Sequence, residues 1–219
     1  MTRFRTLLLD ADSTLAGIEG IDWLAERRGP SVAAAVRALT AAAMDGTIPL
    51  EEAYARRLVQ IAPTRDDLRA LADAYVAAVA PDAAEALRLL RTAGVALRVI
   101  SGGIREALLP LTRSLGFSDA DLYAVSLQFD PDGRYAGIHT SPLTATGGKL
   151  AVVAALRPAR PALAVGDGVT DLEMRPAVDA FAAFTGFARR PAIVASADRE
   201  VTSFSALASW IVNAEDAGP

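Results

Sequence analysis

Three leucines run directly into two carboxylates in the stretch Leu7-Leu8-Leu9-Asp10-Ala11-Asp12, with Ser13-Thr14 behind them. An apolar run this short, with Phe4 just ahead of it, predicts a strand buried on both faces, as in a parallel sheet. At its C-terminal end the chain leaves the sheet, where open α/β sheets hold their ligands. Side chains alternate along an extended chain, so Asp10 and Asp12 point the same way if strand geometry lasts through Ala11. Two carboxylates facing one spot repel. They are tolerated when they share a proton, bind a cation, or do both in turn. Chemistry needs such a pair when one carboxylate attacks as nucleophile and the other handles protons. The same residues also suit a plain strand end with an Asx-type turn and a Ser-Thr cap.

The next block, Gly17 to Val79, holds no convincing strand pattern. Gly17 and Gly20 lead into a helix that Gly29-Pro30 ends. Ser31 reads as the N-cap of a second, Ala-rich helix from Val32 to about Met44, and Asp45-Gly46 as a turn. Pro49 opens a third helix to about Ile61, and a fourth runs from about Asp66 to Val79. This is a helical unit inserted after the first strand.

Strand and helix then alternate. Pro81 to Ala93 is helical, Val95–Ile100 a strand and Ile104–Leu115 a helix. Val125–Ile138 is a hairpin turning at Asp132-Gly133. Gly147-Gly148-Lys149 opens a helix, Ala162–Val165 is a strand, and Ala180–Phe184 and Ala192–Val194 are late strands. Phe204–Val212 is the last helix, and the tail from Asn213 is expected to fray. The pattern predicts an α/β fold, a doubly wound and mostly parallel Rossmann-like sheet with right-handed crossovers. The expected division is a core of residues 1–16 and 80–219 around a helical cap of 17–79.

Three strands thus end in polar loops: Asp10-Ala11-Asp12, Ser101-Gly102-Gly103 and Gly166-Asp167-Gly168-Val169-Thr170-Asp171. In a parallel sheet these ends share one edge. Ser101 with the amides of Gly102 and Gly103, at a helix start, suits a phosphate oxygen, although an ordinary strand-to-helix turn has the same residues. Asp167 and Asp171 beside Asp10 and Asp12 put four acids at one edge. That density calls for a hard divalent cation, and all-oxygen ligands point to Mg²⁺. Lys149 opposes the dipole at its helix start, which is easier to explain if it faces an anion.

Several classes fall away. The net charge is −4, without a basic stripe, which argues against nucleic acid. No cysteine is present and His139 is the single histidine, so there is no disulfide framework, thiolate nucleophile or multi-His metal site. No stretch is apolar for long enough to span a membrane, and no cleavable leader is evident. A cytoplasmic protein is the expectation.

The order Asp10-Ala11-Asp12-Ser13-Thr14, Ser101-Gly102-Gly103, Lys149, Gly166-Asp167-Gly168-Val169-Thr170-Asp171 resembles the haloacid dehalogenase superfamily of phosphotransferases. Glu19-Gly20-Ile21-Asp22, Gly133-Arg134-Tyr135-Ala136-Gly137, Gly147-Gly148-Lys149 and Asp179-Ala180-Phe181 are similar, more narrowly, to the phosphoserine phosphatase family. The four core motifs are common to the superfamily; the Glu19 stretch, the insert length and the hairpin are more specific. The resemblance implies a Mg²⁺-dependent phosphatase of a small phosphomonoester, expected to be phosphoserine. Relatives acting on another small phosphate ester, transferring the phosphoryl group to an alcohol, or silent ligand binders keep the same core. A homodimer is compatible with all of these.

The resemblance also implies roles. Asp10 would attack phosphorus and Asp12 would act as acid, then base. Mg²⁺ would be held by Asp10, the backbone carbonyl of Asp12 and Asp167, with Asp171 in support. Ser101, Gly102 and Lys149 would bind the phosphoryl oxygens, and Gly103 and Thr170 would also contact substrate. Glu19 would face an ammonium and Arg57 a carboxylate, with Arg56 adjacent in sequence. Met44 and Gly46 fall where the cap closes. Leu50 departs from relatives that carry an aromatic residue there, which loosens the expected apolar wall.

Overall fold

The computed structural model describes residues 2–44 and 46–213. Asp45 of the expected turn and the tail beyond Asn213 lie outside the described residues, while Gly46 takes φ +77°. The chain runs β1 (Thr6–Leu9), α1 (Gly20–Arg27), α2 (Pro30–Met44), α3 (Leu50–Ile61), α4 (Arg65–Ala77) and α5 (Ala83–Thr92). It continues through β2 (Ala96–Ile104), α6 (Arg105–Ser114), β3 (Leu122–Val125), β4 (Leu127–Phe129), β5 (Tyr135–Ile138) and α7 (Gly148–Leu156). The last part is β6 (Ala162–Gly166), α8 (Val169–Leu172), β7 (Ala180–Phe184), α9 (Pro191–Ala195), β8 (Arg199–Val201) and α10 (Phe204–Val212).

Six strands form one parallel sheet in the order β3-β2-β1-β6-β7-β8. Strand β1 sits in the middle, with Leu8 paired to Arg98 of β2 and to Ala164 of β6. Leu7, Leu8 and Leu9 are fully buried, which is worth ~1.5–3 kcal/mol for each side chain. The chain leaves β1 towards β2 on one side and returns to β6 on the other. The C-terminal ends of β1 and β6 therefore flank the crevice where such sheets bind ligands.

Helices α1 to α4 form the helical cap, inserted between β1 and α5. Its two connections run side by side: Gly17 N–H donates to Ala78 O and Ala80 N–H to Leu15 O, both at 2.9 Å. Within the cap, Arg28 at the end of α1 donates from Nε to Ile61 O (2.8 Å) and from Nη2 to Ala62 O (3.1 Å). It also pairs with Asp67, which caps α4 by accepting from the Thr64 amide at 2.8 Å. One side chain thus ties three helices together. Helix α3 buries Ala53, Tyr54, Leu58 and Ile61 and leaves Val59 exposed, an amphipathic spacing.

Several boundaries differ from the expectations. Strand β2 does not stop at Ile100. It continues to Ile104 with a register shift between Ile100 and Ile104, because pairing resumes at Ile104 with Val125. Residues 101–103 therefore form an irregular strand end, and α6 starts at Arg105. Val125 ends β3 in the main sheet, leaving β4 and β5 as a separate antiparallel hairpin. Ala192–Val194 is helical, with Pro191 at the first turn of α9; a short apolar run does not distinguish strand from helix. Ser31 lies inside α2, which Pro30 begins.

Candidate active site

The edge formed by β1, β2 and β6 faces the cap across a cavity of about 260 Å³. Asp10, Asp12, Glu19, Met44, Arg57, Ser101, Gly102, Lys149, Asp167, Thr170 and Asp171 line it. Two expected residues do not: Gly46, in the turn after α2, and Gly103, whose amide faces Ser101. A larger depression, about 770 Å³, lies open between Gly147 and Ser196 and gathers no carboxylate cluster.

Lys149 organises the acids. Its Nζ donates to Oδ1 of Asp10 and to Oδ1 of Asp171, each at 2.6 Å. All three side chains are buried. Burial favours a neutral lysine, but the charges of Asp10 and Asp171 outweigh it and raise the ammonium's pKa. Burial, then the charge of Asp171, pushes Asp10 well above the usual carboxylate range, against the pull of Lys149. The lysine at this helix start thus faces two anions. Gly166 makes room for one of them, since a Cβ there would stand 2.1 Å from Asp171 Cγ.

Asp12 is held differently. It accepts at Oδ1 from the Tyr75 hydroxyl and, at 3.3 Å, from the Gly20 amide. Gly20 is required for this, because a Cβ would meet the Tyr75 oxygen at 2.1 Å. Burial, then the charge of Glu19, raises the Asp12 carboxyl to about 7. Such a group can hold a proton near neutrality and give it up. Asp10 and Asp12 therefore line one cavity with different partners, which suits them to different roles.

Asp10, Asp167 and Asp171 bring carboxylate oxygens within 4.8 Å of one another, all three buried. The Asp12 side chain lies outside this trio. Lys149 occupies Oδ1 of Asp10, and Arg190 donates from Nε to Oδ2 of Asp167, with Nη2 in ion-pair contact with the same oxygen. Asp10 Oδ2 and Asp167 Oδ1 accept no hydrogen bond among the described residues. Burial and Asp171 raise Asp167 to about 6 despite Arg190. A set of hard oxygen donors with unclaimed lone pairs fits a divalent ion such as Mg²⁺.

Towards the cap, Glu19 accepts from the Ser13 hydroxyl at 2.7 Å and lies 3.6 Å from Arg190. Arg57 donates from Nη1 to Thr40 Oγ1 (3.2 Å), while its buried Nε has no partner among the described residues. Arg56 faces away and pairs with Glu52 on the surface. Leu50 also lines the wall.

Four further residues of this site were not read from the sequence. Tyr54, Tyr75 and Asp22 sit on helices where a tyrosine or an acid reads as ordinary packing or an exposed face. Arg190 lies next to another arginine in a loop without a motif. Only the fold brings them to the acids.

Comparison with known proteins gives a consistent picture. Residues 7–176 match the model of the haloacid dehalogenase-like hydrolases. The chain is 34% identical over 199 residues to phosphoserine phosphatase of Rattus norvegicus, covering 89% of this chain and 88% of the rat protein. It is 34% identical over 204 residues to the chloroplastic phosphoserine phosphatase of Arabidopsis thaliana, covering 90% of this chain and 68% of the plant one. A phosphoserine phosphohydrolase-like protein from Francisella tularensis has the same fold, with a TM-score of 0.83 at 22% identity, over 95% of this chain and 100% of that one.

Proposed function

We propose a function from one premise: this chain belongs to the haloacid dehalogenase-like hydrolases and, among them, to the phosphoserine phosphatase family. It is a phosphoric monoester hydrolase that converts O-phospho-L-serine to L-serine and phosphate, a step of serine formation. The observation that carries this reading is one cavity holding two unlike carboxylates, Asp10 on Lys149 and Asp12 on Tyr75.

Lys149 draws on Oδ1 of Asp10 and leaves Oδ2 as the nucleophile. Oδ2 attacks phosphorus in line, and the bond from phosphorus to the serine oxygen breaks as the new bond forms. Asp12 gives its proton to the departing serine oxygen. It then takes a proton from the water that attacks the aspartyl-phosphate, which frees Asp10 and phosphate. Ser101, the Gly102 amide and Lys149 are assigned to the phosphoryl oxygens, where charge builds up, and Thr170 to the substrate. The Gly103 amide, which donates to Ser101 Oγ, is assigned to the support of Ser101. Glu19 is assigned to the substrate ammonium. Arg57 is assigned to the carboxylate, supported by its Nε, which has no partner among the described residues.

Mg²⁺ would be held by Asp10, Asp167 and the backbone carbonyl of Asp12, with Asp171 in support; when bound it offsets the repulsion between carboxylate and phosphate. The cap is proposed to span residues 17–79 and the core 1–16 and 80–219. The paired hydrogen bonds at Gly17–Ala78 and Leu15–Ala80 support that division. Met44 lines the mouth, and Gly46 is assigned to the turn that lets the cap close. The proposal extends to a cytoplasmic enzyme, alone or as a homodimer, acting without nucleic acid or a membrane. The charge of −4 supports the absence of nucleic acid. Among the described residues no helix is long and apolar enough to cross a membrane.

The test is phosphate release from a panel of small phosphate esters, with Mg²⁺ and with EDTA. O-phospho-L-serine should be the best substrate, and EDTA should abolish turnover until Mg²⁺ is restored. A panel in which another ester is hydrolysed and phosphoserine is not would refute the substrate.

A further inference from the structure

Tyr54 reaches from the cap into the core. It lies on the inner face of α3, is 4% exposed, and lines the cavity. Its hydroxyl donates to the carbonyl oxygen of Gly102 at 2.8 Å. The other end of that same peptide unit, the Gly103 N–H, donates to Ser101 Oγ at 3.0 Å. The Gly102–Gly103 peptide is therefore pinned from both sides, by a cap side chain and by a core side chain.

Pinning matters because this stretch has no regular ladder. Strand β2 shifts register between Ile100 and Ile104, so neighbouring strands do not fix the peptide's orientation. Glycine also adds no side chain to resist a peptide flip. If the peptide turned over, Ser101 Oγ would lose the N–H it accepts. While it accepts from Gly103, its own proton has no acceptor among the described residues and remains available to an anion in the cavity. Burial keeps the Tyr54 phenol protonated, so it acts as a donor throughout the working range. The Arg57 guanidinium lies over the Tyr54 ring, 5.5 Å from its centroid. The same tyrosine thus touches the residue assigned to the far end of the substrate.

We propose that Tyr54 is a positioning residue: its hydroxyl locks the Gly102–Gly103 peptide, and through it the Ser101 hydroxyl, in the orientation that donates to a phosphoryl oxygen when the cap is closed. The proposal rests on the assignment of Ser101 to phosphate made above. The sequence marks residues 101–103 but gives no sign that an α3 tyrosine completes them.

The experiment is a double-mutant cycle with inorganic phosphate as the probe. Its binding is measured by calorimetry, with Mg²⁺ present, for the wild type, Tyr54→Phe, Ser101→Ala and the double variant. Tyr54→Phe keeps the ring in place and removes only the hydroxyl. Phosphate should bind about tenfold more weakly to Tyr54→Phe, as for loss of one well-placed hydrogen bond. Because Tyr54 acts through Ser101, the double variant should bind no more weakly than Ser101→Ala. A role in packing alone would lower the melting temperature and give independent, multiplicative losses in binding. Unchanged phosphate affinity in Tyr54→Phe, or multiplicative losses in the double variant, would overturn the proposal. If the cycle shows the coupling while phosphoserine is not hydrolysed, the substrate assignment fails and Tyr54's role stands. A wild type that does not bind phosphate removes both.

Discussion

Arg190 grips Asp167 through two nitrogens, Nε at 2.9 Å and Nη2 at 2.7 Å, and both fall on the same oxygen, Oδ2. The guanidinium is about half exposed while the carboxylate is buried. Arg190 therefore supplies at Asp167 the positive charge that Lys149 supplies at Asp10 and Asp171, and leaves Oδ1 free.

That geometry sets a prediction for metal binding. Mg²⁺ must enter against the Arg190 charge, so Arg190→Ala should tighten it. A partly exposed pair is worth ~1 kcal/mol after solvent screening, or about fivefold in the Mg²⁺ dissociation constant. The stabilisation of the fold by saturating Mg²⁺ should grow to match. Calorimetric titration and thermal melts with and without Mg²⁺ check both. Weaker Mg²⁺ binding in the variant would make Arg190 an orienting partner of Asp167 instead of a competitor for it.

The two carboxylates on β1's exit should respond differently to the same change. Asp10→Asn should abolish turnover with a normal melting curve, because an amide does not form an acyl-phosphate. Asp12→Asn should slow turnover by about two to four orders of magnitude, the usual contribution of acid–base catalysis. Steady-state and single-turnover kinetics separate the two. Full activity in either purified variant removes the division of labour read from Lys149 and Tyr75.

The core of this site was legible because its residues sit where strands end. Leu7-Leu8-Leu9 announces a buried strand, and Asp10, Ser101 and Asp167 each follow such a run. The cap side was legible only as a block of helices. A helix pattern gives which face is inward but not what that face meets, so Tyr54 and Tyr75 read as core residues. Their hydroxyls matter because α3 and α4 happen to stand over Gly102 and Asp12, and no local spacing encodes that. Residues 101–103 were misread as a loop for a similar reason. Their strand character comes from β3, through the Ile104–Val125 pair, which lies far along the chain.

Stability of the cap should depend on pH through Asp67. Burial alone would raise this carboxyl, but hydrogen bonds from Arg28 and from the Thr64 amide and hydroxyl outweigh it and hold the pKa below its usual value. A depressed carboxyl adds stability above its unfolded pKa of ~3.9 and loses it as pH falls through the folded value. Asp67→Asn should therefore destabilise the protein at pH 7 by ~1–3 kcal/mol. The gap from wild type should narrow once the pH drops below about 4. Urea unfolding at a series of pH values checks this. A gap that stays constant to the lowest pH at which the fold survives would assign the loss to capping and packing, with no contribution from the charge.

The last prediction distinguishes recognition of the amino-acid end from general support of the cap. Arg57 reaches the cavity with a buried Nε that has no partner among the described residues, and such an orphan donor costs stability unless an acceptor arrives. A substrate carboxylate is an acceptor of the right charge and shape for a guanidinium. Arg57→Ala should cut kcat/KM for phosphoserine by about one to three orders of magnitude, the range for stranding a charged group in a partly dry pocket. An aryl phosphate has no carboxylate to strand, so its turnover should fall much less. Glu19 is already engaged by the Ser13 hydroxyl and stands 3.6 Å from Arg190. Glu19→Gln keeps an acceptor for both but removes the charge that would meet an ammonium, so it should show the same selectivity with a smaller loss. The measurement is kcat/KM for both substrates in the wild type and both variants. Parallel losses on the two substrates would mean that Arg57 and Glu19 serve cap closure, and that recognition of the amino-acid end lies elsewhere in the cavity.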